Sequence, residues 1–133
     1  QTTRYLKTGS IIAYPTEAIY GLGCDPWNEE AVARLLTLKQ RPWQKGLILI
    51  AADYAQLEIF LKPLTPILQQ RVFPTWPGPV TWLLPARPEV PFWLRGQSTQ
   101  LAVRVAAVNQ QQKRLCKYGG YLGHRLIILC LVK

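Results

Sequence analysis

Lys39, Arg41 and Lys45 fall within seven positions on the stretch Leu38-Lys39-Gln40-Arg41-Pro42-Trp43-Gln44-Lys45-Gly46. A compact ammonium and a forked guanidinium two residues apart are the groups that hold phosphate oxygens. Pro42 disfavours helical geometry at Arg41 and removes a backbone donor, while Gly46 frees the backbone to turn. The apolar run Leu47-Ile48-Leu49-Ile50-Ala51 follows at once. A basic connection between a helix and a buried strand lies at the mouth of an α/β sheet, outside the strand ends where such sheets bind ligands. On charge alone, the same stretch also reads as a solvated basic turn.

The flanking elements follow from local pattern. Ile11-Ile12-Ala13-Tyr14 is an apolar run stopped by Pro15 and reads as a buried strand. Residues 15–26 read as a Gly/Pro loop with a threonine hydroxyl and one carboxylate; the spacing is not that of a P-loop. Asn28 is an N-cap candidate, with Glu29 and Glu30 where a helix dipole favours them. Ala31, Leu35 and Leu38 share a face beside Val32 and Leu36, and this helix ends near Gln40. The run Leu47 to Ala51, apolar throughout, predicts a strand covered on both faces. Asp53 caps a helix over Tyr54 to Leu61, and Thr65-Pro66 opens another running to about Phe73. Phe73 to Val80, with three prolines and a glycine, is a stiff loop. It feeds a strand at Val80 to Leu84 with Thr81 at its opening end. After a turn-rich excursion from Pro85 to Pro91, Leu101-Ala102-Val103-Arg104-Val105 is the last clear strand. Beyond it, Asn109 to Arg114 is polar without an apolar stripe. The run Leu126 to Val132 reads either as a closing strand or as an unpaired, aggregation-prone tail.

The 133 residues suffice for one domain with a real core. The net charge is +9, and no side-chain carboxylate follows Glu89 while seven cations do. Such a surface attracts polyanions without choosing between nucleotide, nucleic acid and membrane. Cys24, Cys116 and Cys130 fit neither a zinc spacing nor a disulfide framework, which suits a reduced cytoplasmic compartment and small buried hydrophobes. No apolar run approaches a membrane span, and residues 1–4 do not resemble a signal peptide. The sequence contains no methionine, so residue 1 is read as the start of a processed chain or a fragment.

Five strings occur here in one order: Tyr14-Pro-Thr-Glu-Ala-Ile-Tyr-Gly-Leu-Gly-Cys-Asp-Pro26, Leu38-Lys-Gln-Arg-Pro42, Lys45-Gly-Leu-Ile-Leu-Ile50, Trp76-Pro-Gly-Pro-Val-Thr81 and Leu101-Ala-Val-Arg-Val105. Their order and spacing resemble the YrdC/TsaC family of threonylcarbamoyl-AMP synthases, in its short bacterial form, from about Gly9 to Val105. The resemblance implies an α/β fold, a strongly twisted mixed sheet with flanking helices and a positively charged concave face. It implies a nucleotidyltransferase that converts L-threonine, bicarbonate or CO2 and ATP, with Mg2+, into threonylcarbamoyl-AMP and pyrophosphate. The product would serve tRNA threonylcarbamoyladenosine formation in the cytoplasm, through downstream threonylcarbamoyl-transferase proteins. Members of the short form are also described as binding tRNA or double-stranded RNA.

On that resemblance, Lys39 and Arg41 take the ATP phosphates as the catalytic cations, with Lys45 adding charge and Thr81 facing the nucleotide. Thr16 and Tyr20 line the threonine pocket, where Arg104 pairs with the substrate carboxylate. No residue is assigned to a metal, and none of these roles falls to His124. For Tyr20 a packing role, and for Arg104 a structural ion pair, stand as alternatives.

The sequence departs from the family pattern after residue 105. Leu115-Cys116 and Tyr118-Gly119-Gly120 still echo a helix and its exit, but Tyr121 to Leu126 lacks the expected Ser-Thr-Ser-Ala-Asn strand end. The expectation is a single incomplete YrdC-like domain over 1–133. Within it, 1–105 is family-like and 106–133 an atypical tail left by truncation or a frame change, so that the C-terminal part of the fold is missing and the N-terminal helix clipped. Exposing a doubly buried strand is costly, so lower stability than a complete relative and weak or absent activity are expected of such a chain. The competing function is a non-catalytic tRNA- or double-stranded-RNA-binding module, or an inactive fragment. Steep salt dependence of RNA binding without pyrophosphate release would mark the module.

Overall fold

The computed structural model describes residues 11–15, 20–51, 53–105 and 127–131. Its centre is a six-stranded sheet: β1 (Ile12–Pro15), β2 (Tyr20–Cys24), β3 (Ile48–Ala51), β4 (Trp82–Pro85), β5 (Gln100–Val105) and β6 (Ile127–Leu131), in spatial order β1-β2-β6-β3-β5-β4. Only β3 and β5 run parallel among neighbours, with Ile48 opposite Ala102 and Ile50 opposite Arg104; the other pairings are antiparallel. The sheet is therefore mixed, as expected.

Three helices are described: α1 (Glu29–Leu38), α2 (Pro66–Val72) and the single turn α3 (Phe92–Arg95). The Asn28 side chain accepts from the Ala31 amide at 3.0 Å and so caps α1. Thr65 caps α2 in the same way through the Leu68 amide, 3.3 Å, with Pro66 in the first turn.

Strand alternation sorts the sheet into two faces. Leu101, Val103 and Val105 of β5 are buried, as are Leu49 and Ala51 of β3 and Leu84 of β4. They join Ala31, Val32, Leu35 and Leu36 of α1 in one core. Register places Leu83, Ala102, Arg104, Ile48 and Ile50 on the other face. There Leu83 is 63% exposed while Ile50 is buried, so β3 is indeed covered on both sides near its end.

Four local expectations need correction. The loop read over residues 15–26 contains β2, whose glycines are poor strand formers alone but are paired on both sides, by β1 and β6. The helix read over Tyr54 to Leu61 is a 3-10 turn, Tyr54–Leu57, capped by Asp53. The chain must leave it to form the bridge from Leu61 to Ala86. Leu38, read onto the buried stripe, is 64% exposed because the core ends one turn earlier. The stretch between Pro91 and Leu101, given no element by the sequence reading, contains α3. Of the two readings of Leu126 to Val132, the strand holds: β6 fills the gap between β2 and β3. The polar segment Asn109 to Arg114 and the 115–120 echo lie outside the described residues.

Candidate functional site

Arg104 and Thr81 meet on the face of the sheet turned away from α1. Arg104 donates to the Thr81 hydroxyl oxygen from Nε at 3.0 Å and from an Nη at 2.8 Å. Both residues are half-buried. The contact follows from register, because Trp82 opposite Val103 brings Thr81, one residue earlier, level with Arg104. A hydroxyl that accepts two hydrogen bonds has its lone pairs occupied and its proton left to donate. The pair is thus a cationic fork with an attached O–H donor, suited to a carboxylate or phosphate oxygen.

The loop that feeds this pair is anchored. The Gly78 amide donates to the Val105 carbonyl at 3.0 Å, tying the Trp-Pro-Gly-Pro segment to the end of β5. A Cβ at Gly78 would lie 2.8 Å from the Thr75 carbonyl oxygen, so only glycine fits without a shift. Trp82 Nε1 donates to Thr75 Oγ1 at 2.9 Å, and Trp76 Nε1 to the Val80 carbonyl at 2.8 Å. The sequence reading singles out none of these tryptophan contacts, although three of the five tryptophans and eight of the eleven prolines fall between residues 63 and 93.

The basic connection leaves α1 through a Schellman-type end. The Arg41 amide reaches back to the Leu36 carbonyl at 2.9 Å and the Gln40 amide to that of Thr37 at 3.1 Å, with Gln40 at φ 50°. Arg41 Nε then donates to the Gly46 carbonyl at 2.9 Å, closing the connection on itself. Gly46, at φ 70°, turns the chain into β3. Its neighbour Leu47 donates to the Leu94 carbonyl at 2.9 Å, and Gln97 donates to that of Gln44 at 3.1 Å. The connection is therefore bonded to α3 and its exit, which the sequence did not indicate.

Lys39 is the half-buried C-cap of α1. Lys45 is exposed on the 3-10 turn Trp43–Lys45. Arg41 lines an open hollow of about 660 Å³ between α1 and α3, with Thr37, Trp43, Phe92 and Trp93 among its walls. The structure thus brings Thr81 and Arg104 into contact and keeps Lys39, Arg41 and Lys45 together on one connection. The connection leads through Gly46 into β3, whose Ile50 lies opposite Arg104. Thr16 lies outside the described residues, and of Tyr20 only the backbone, in β2, is described.

Comparison with known proteins gives the assembly a context. The family model Sua5_yciO_yrdC, described as telomere recombination, matches residues 4–128. Threonylcarbamoyl-AMP synthase from Yersinia pestis (strain Pestoides F) is 55% identical over 118 residues, 87% of this chain and 62% of the relative. The protein of the same name from Yersinia pseudotuberculosis (serotype O:1b, strain IP 31758) matches with the same figures. The chain thus spans 62% of the length of these curated relatives. Among solved structures, P. abyssi Sua5 complexed with L-threonine superposes with a TM-score of 0.83 at 32% identity, over 97% of this chain and 36% of that one. E. coli YciO, at 24% identity, shares the fold with a TM-score of 0.82 over 98% of this chain and 61% of its own. Matched over most of its length by sequence and by fold, the chain belongs to the Sua5/YciO/YrdC family.

Proposed function

We propose that this chain carries the substrate-binding face of a threonylcarbamoyl-AMP synthase, joining L-threonine, bicarbonate or CO2 and ATP into threonylcarbamoyl-AMP and pyrophosphate. The observation that carries the reading is the Arg104–Thr81 pair, an anion-binding fork on the sheet face opposite the α1 core. The name of its 55%-identical relatives and the threonine bound to P. abyssi Sua5 support it.

In this reading the threonine amine attacks CO2 and loses a proton to solvent, giving a carbamate. A carbamate oxygen then attacks the α-phosphorus of ATP; the new O–P bond forms as the α–β bridging bond breaks and pyrophosphate departs. Two anions must approach, so neutralising charge and fixing geometry are the main demands. Arg104 holds the threonine carboxylate, and Thr81 donates its proton to the nucleotide, so their contact sets the two substrates side by side. Thr16 and Tyr20 complete the threonine pocket. Lys39, Arg41 and Lys45 take the phosphates. Among the described residues no three His, Cys, Asp or Glu side chains gather into a metal site. Mg2+ would accompany ATP as its metal complex and supply further charge against the phosphates.

Among the described residues no helix is long and apolar enough to cross a membrane. A reaction using ATP to supply tRNA modification belongs in the cytoplasm, with tRNA and a threonylcarbamoyl-transferase downstream. The test is pyrophosphate release from ATP, expected only when threonine and bicarbonate are both present. Release that ignores either, or none at all, would sink the proposal.

A further inference from the structure

A second basic site lies at the other end of the β4–β5 pair. A hollow of about 380 Å³ is lined by Lys62, Arg87 and Arg95, by Thr99 and Gln100, and by the rigid segment from Pro85 to Pro88. No carboxylate lines it, although Glu58 and Glu89 lie close in sequence to its walls. Its floor is three backbone segments bonded side by side. The Lys62 amide donates to the Pro85 carbonyl at 3.0 Å, the Arg87 amide to that of Phe60 at 2.8 Å, and the Ala86 amide to that of Thr99 at 3.1 Å.

Two of the cations are fixed by this frame. Arg87 Nε donates to the Glu58 carbonyl at 2.9 Å and Arg95 Nη1 to that of Ser98 at 3.0 Å. Each guanidinium spends one donor on its own backbone, which orients the remaining N–H groups and lowers the entropy lost on binding. Lys62, exposed, adds a third charge to the lining, which also includes Thr99. Three cations lining a concave, proline-stiffened surface whose walls carry no carboxylate make a site for an oxyanion.

We propose that this hollow binds a phosphate group, as a site separate from the Arg104–Thr81 fork. Thr81 and Arg104 precede β4 and approach the end of β5; the hollow takes Pro85 at the end of β4 and Gln100 at the start of β5. The phosphate comes either from a free anion or from a nucleic-acid backbone, and the chain's charge of +9 is compatible with both.

The test is nuclear magnetic resonance of the isotope-labelled chain during titration with inorganic phosphate and, separately, with a mixed-sequence RNA duplex. The arginine Nε–H signals of Arg87 and Arg95 and the Thr99 and Gln100 amides should shift saturably. Arg41 and Arg104, observed in the same spectra, report any binding elsewhere. Lys62→Gln and Arg87→Gln should each weaken binding at these nuclei about tenfold, equivalent to about 1.4 kcal/mol, with the distant amide spectrum unchanged. Saturation by phosphate alone assigns a free anion. Tighter saturation by the duplex, weakened by the same variants and by salt, assigns a nucleic-acid backbone. Absence of saturable shifts with both ligands, or shifts that survive both substitutions, overturns the proposal.

Discussion

Arg104 reaches across from β5 and places two donors on a single oxygen, the Thr81 hydroxyl, at 3.0 and 2.8 Å. The hydroxyl is the junction of the pair: it accepts from a charged group and still has its proton to give. Charge-assisted hydrogen bonds of this kind are stronger than neutral ones and polarise the donor they feed. Strand register brings the two residues level with each other, which is what puts this contact within reach.

Thr81→Val keeps the shape and removes the hydroxyl. It also leaves Arg104 without that acceptor. A lost hydrogen bond to a charged group is worth about 1.5–3 kcal/mol, so pyrophosphate release should fall by roughly 10- to 150-fold in kcat/KM. Thr81→Ser, which retains the oxygen, should stay within about threefold. Equal rates for Val and Ser would separate this hydroxyl from the reaction.

The basic connection makes a different demand. Arg41 holds its own loop through Nε, and in the proposed function its charge also serves phosphate, two functions that a lysine cannot combine because its ammonium offers no equivalent fork. Arg41→Lys should therefore weaken ATP binding nearly as much as Arg41→Ala, by about tenfold, while Lys39→Arg costs less than Lys39→Ala. Calorimetric titration with MgATP checks the ranking; Arg41→Lys binding like the parent would refute it.

Backbone geometry around that loop predicts two substitutions of opposite sign. Gly96 sits at φ 67°, and a Cβ there would lie 2.3 Å from the Gln44 carbonyl oxygen and 2.6 Å from the Gly46 nitrogen, both backbone atoms unable to yield. Gly96→Ala should lower the stability to urea by about 2–4 kcal/mol. Gln40, by contrast, occupies the left-handed position of the α1 end at φ 50° with a side chain attached. Gln40→Gly should raise stability by up to about 1 kcal/mol, because glycine adopts that geometry without strain.

How legible this was in the sequence varied with the source of each feature. Caps and turns are local chemistry, so Asn28, Asp53, Thr65 and Gly46 were readable, as was the end of α1 beside Lys39. β3 and β5 were readable because runs of apolar β-branched and aliphatic residues demand burial. β2 was not, since Gly21 and Gly23 argue against a strand and only the pairing partners β1 and β6 supply the stabilisation. The run from Leu126 was undecidable for the same reason: a strand needs partners, and those of β6 lie about 80 residues upstream in β3 and more than a hundred upstream in β2. Thr81 and Arg104 were both singled out, but their contact depends on antiparallel register between β4 and β5, which no local pattern encodes. The anchoring of residues 42–47 to α3 is likewise tertiary.

Tyr54 supplies a prediction in pH. Its ring lies edge-on to Phe73 at 5.0 Å and stacks near Trp76 at 6.3 Å. Burial first, and then the Glu58 carboxylate, hold its phenol above the ordinary value of 10.0, against a smaller opposing pull from Arg87. A phenol with a raised folded-state pKa favours folding while it is neutral. Its contribution is complete below the unfolded value and lost as pH rises through the folded one. The parent chain should therefore lose stability above pH 10.0 more steeply than Tyr54→Phe, as read from urea midpoints along an alkaline series. Glu58→Gln should move the tyrosinate absorbance transition of Tyr54 down and Arg87→Gln should move it up, because one removes a repelling charge and the other an attracting one. If both substitutions moved it in the same direction, through-space charge would not be what sets this group, and a repacked ring would have to be sought instead.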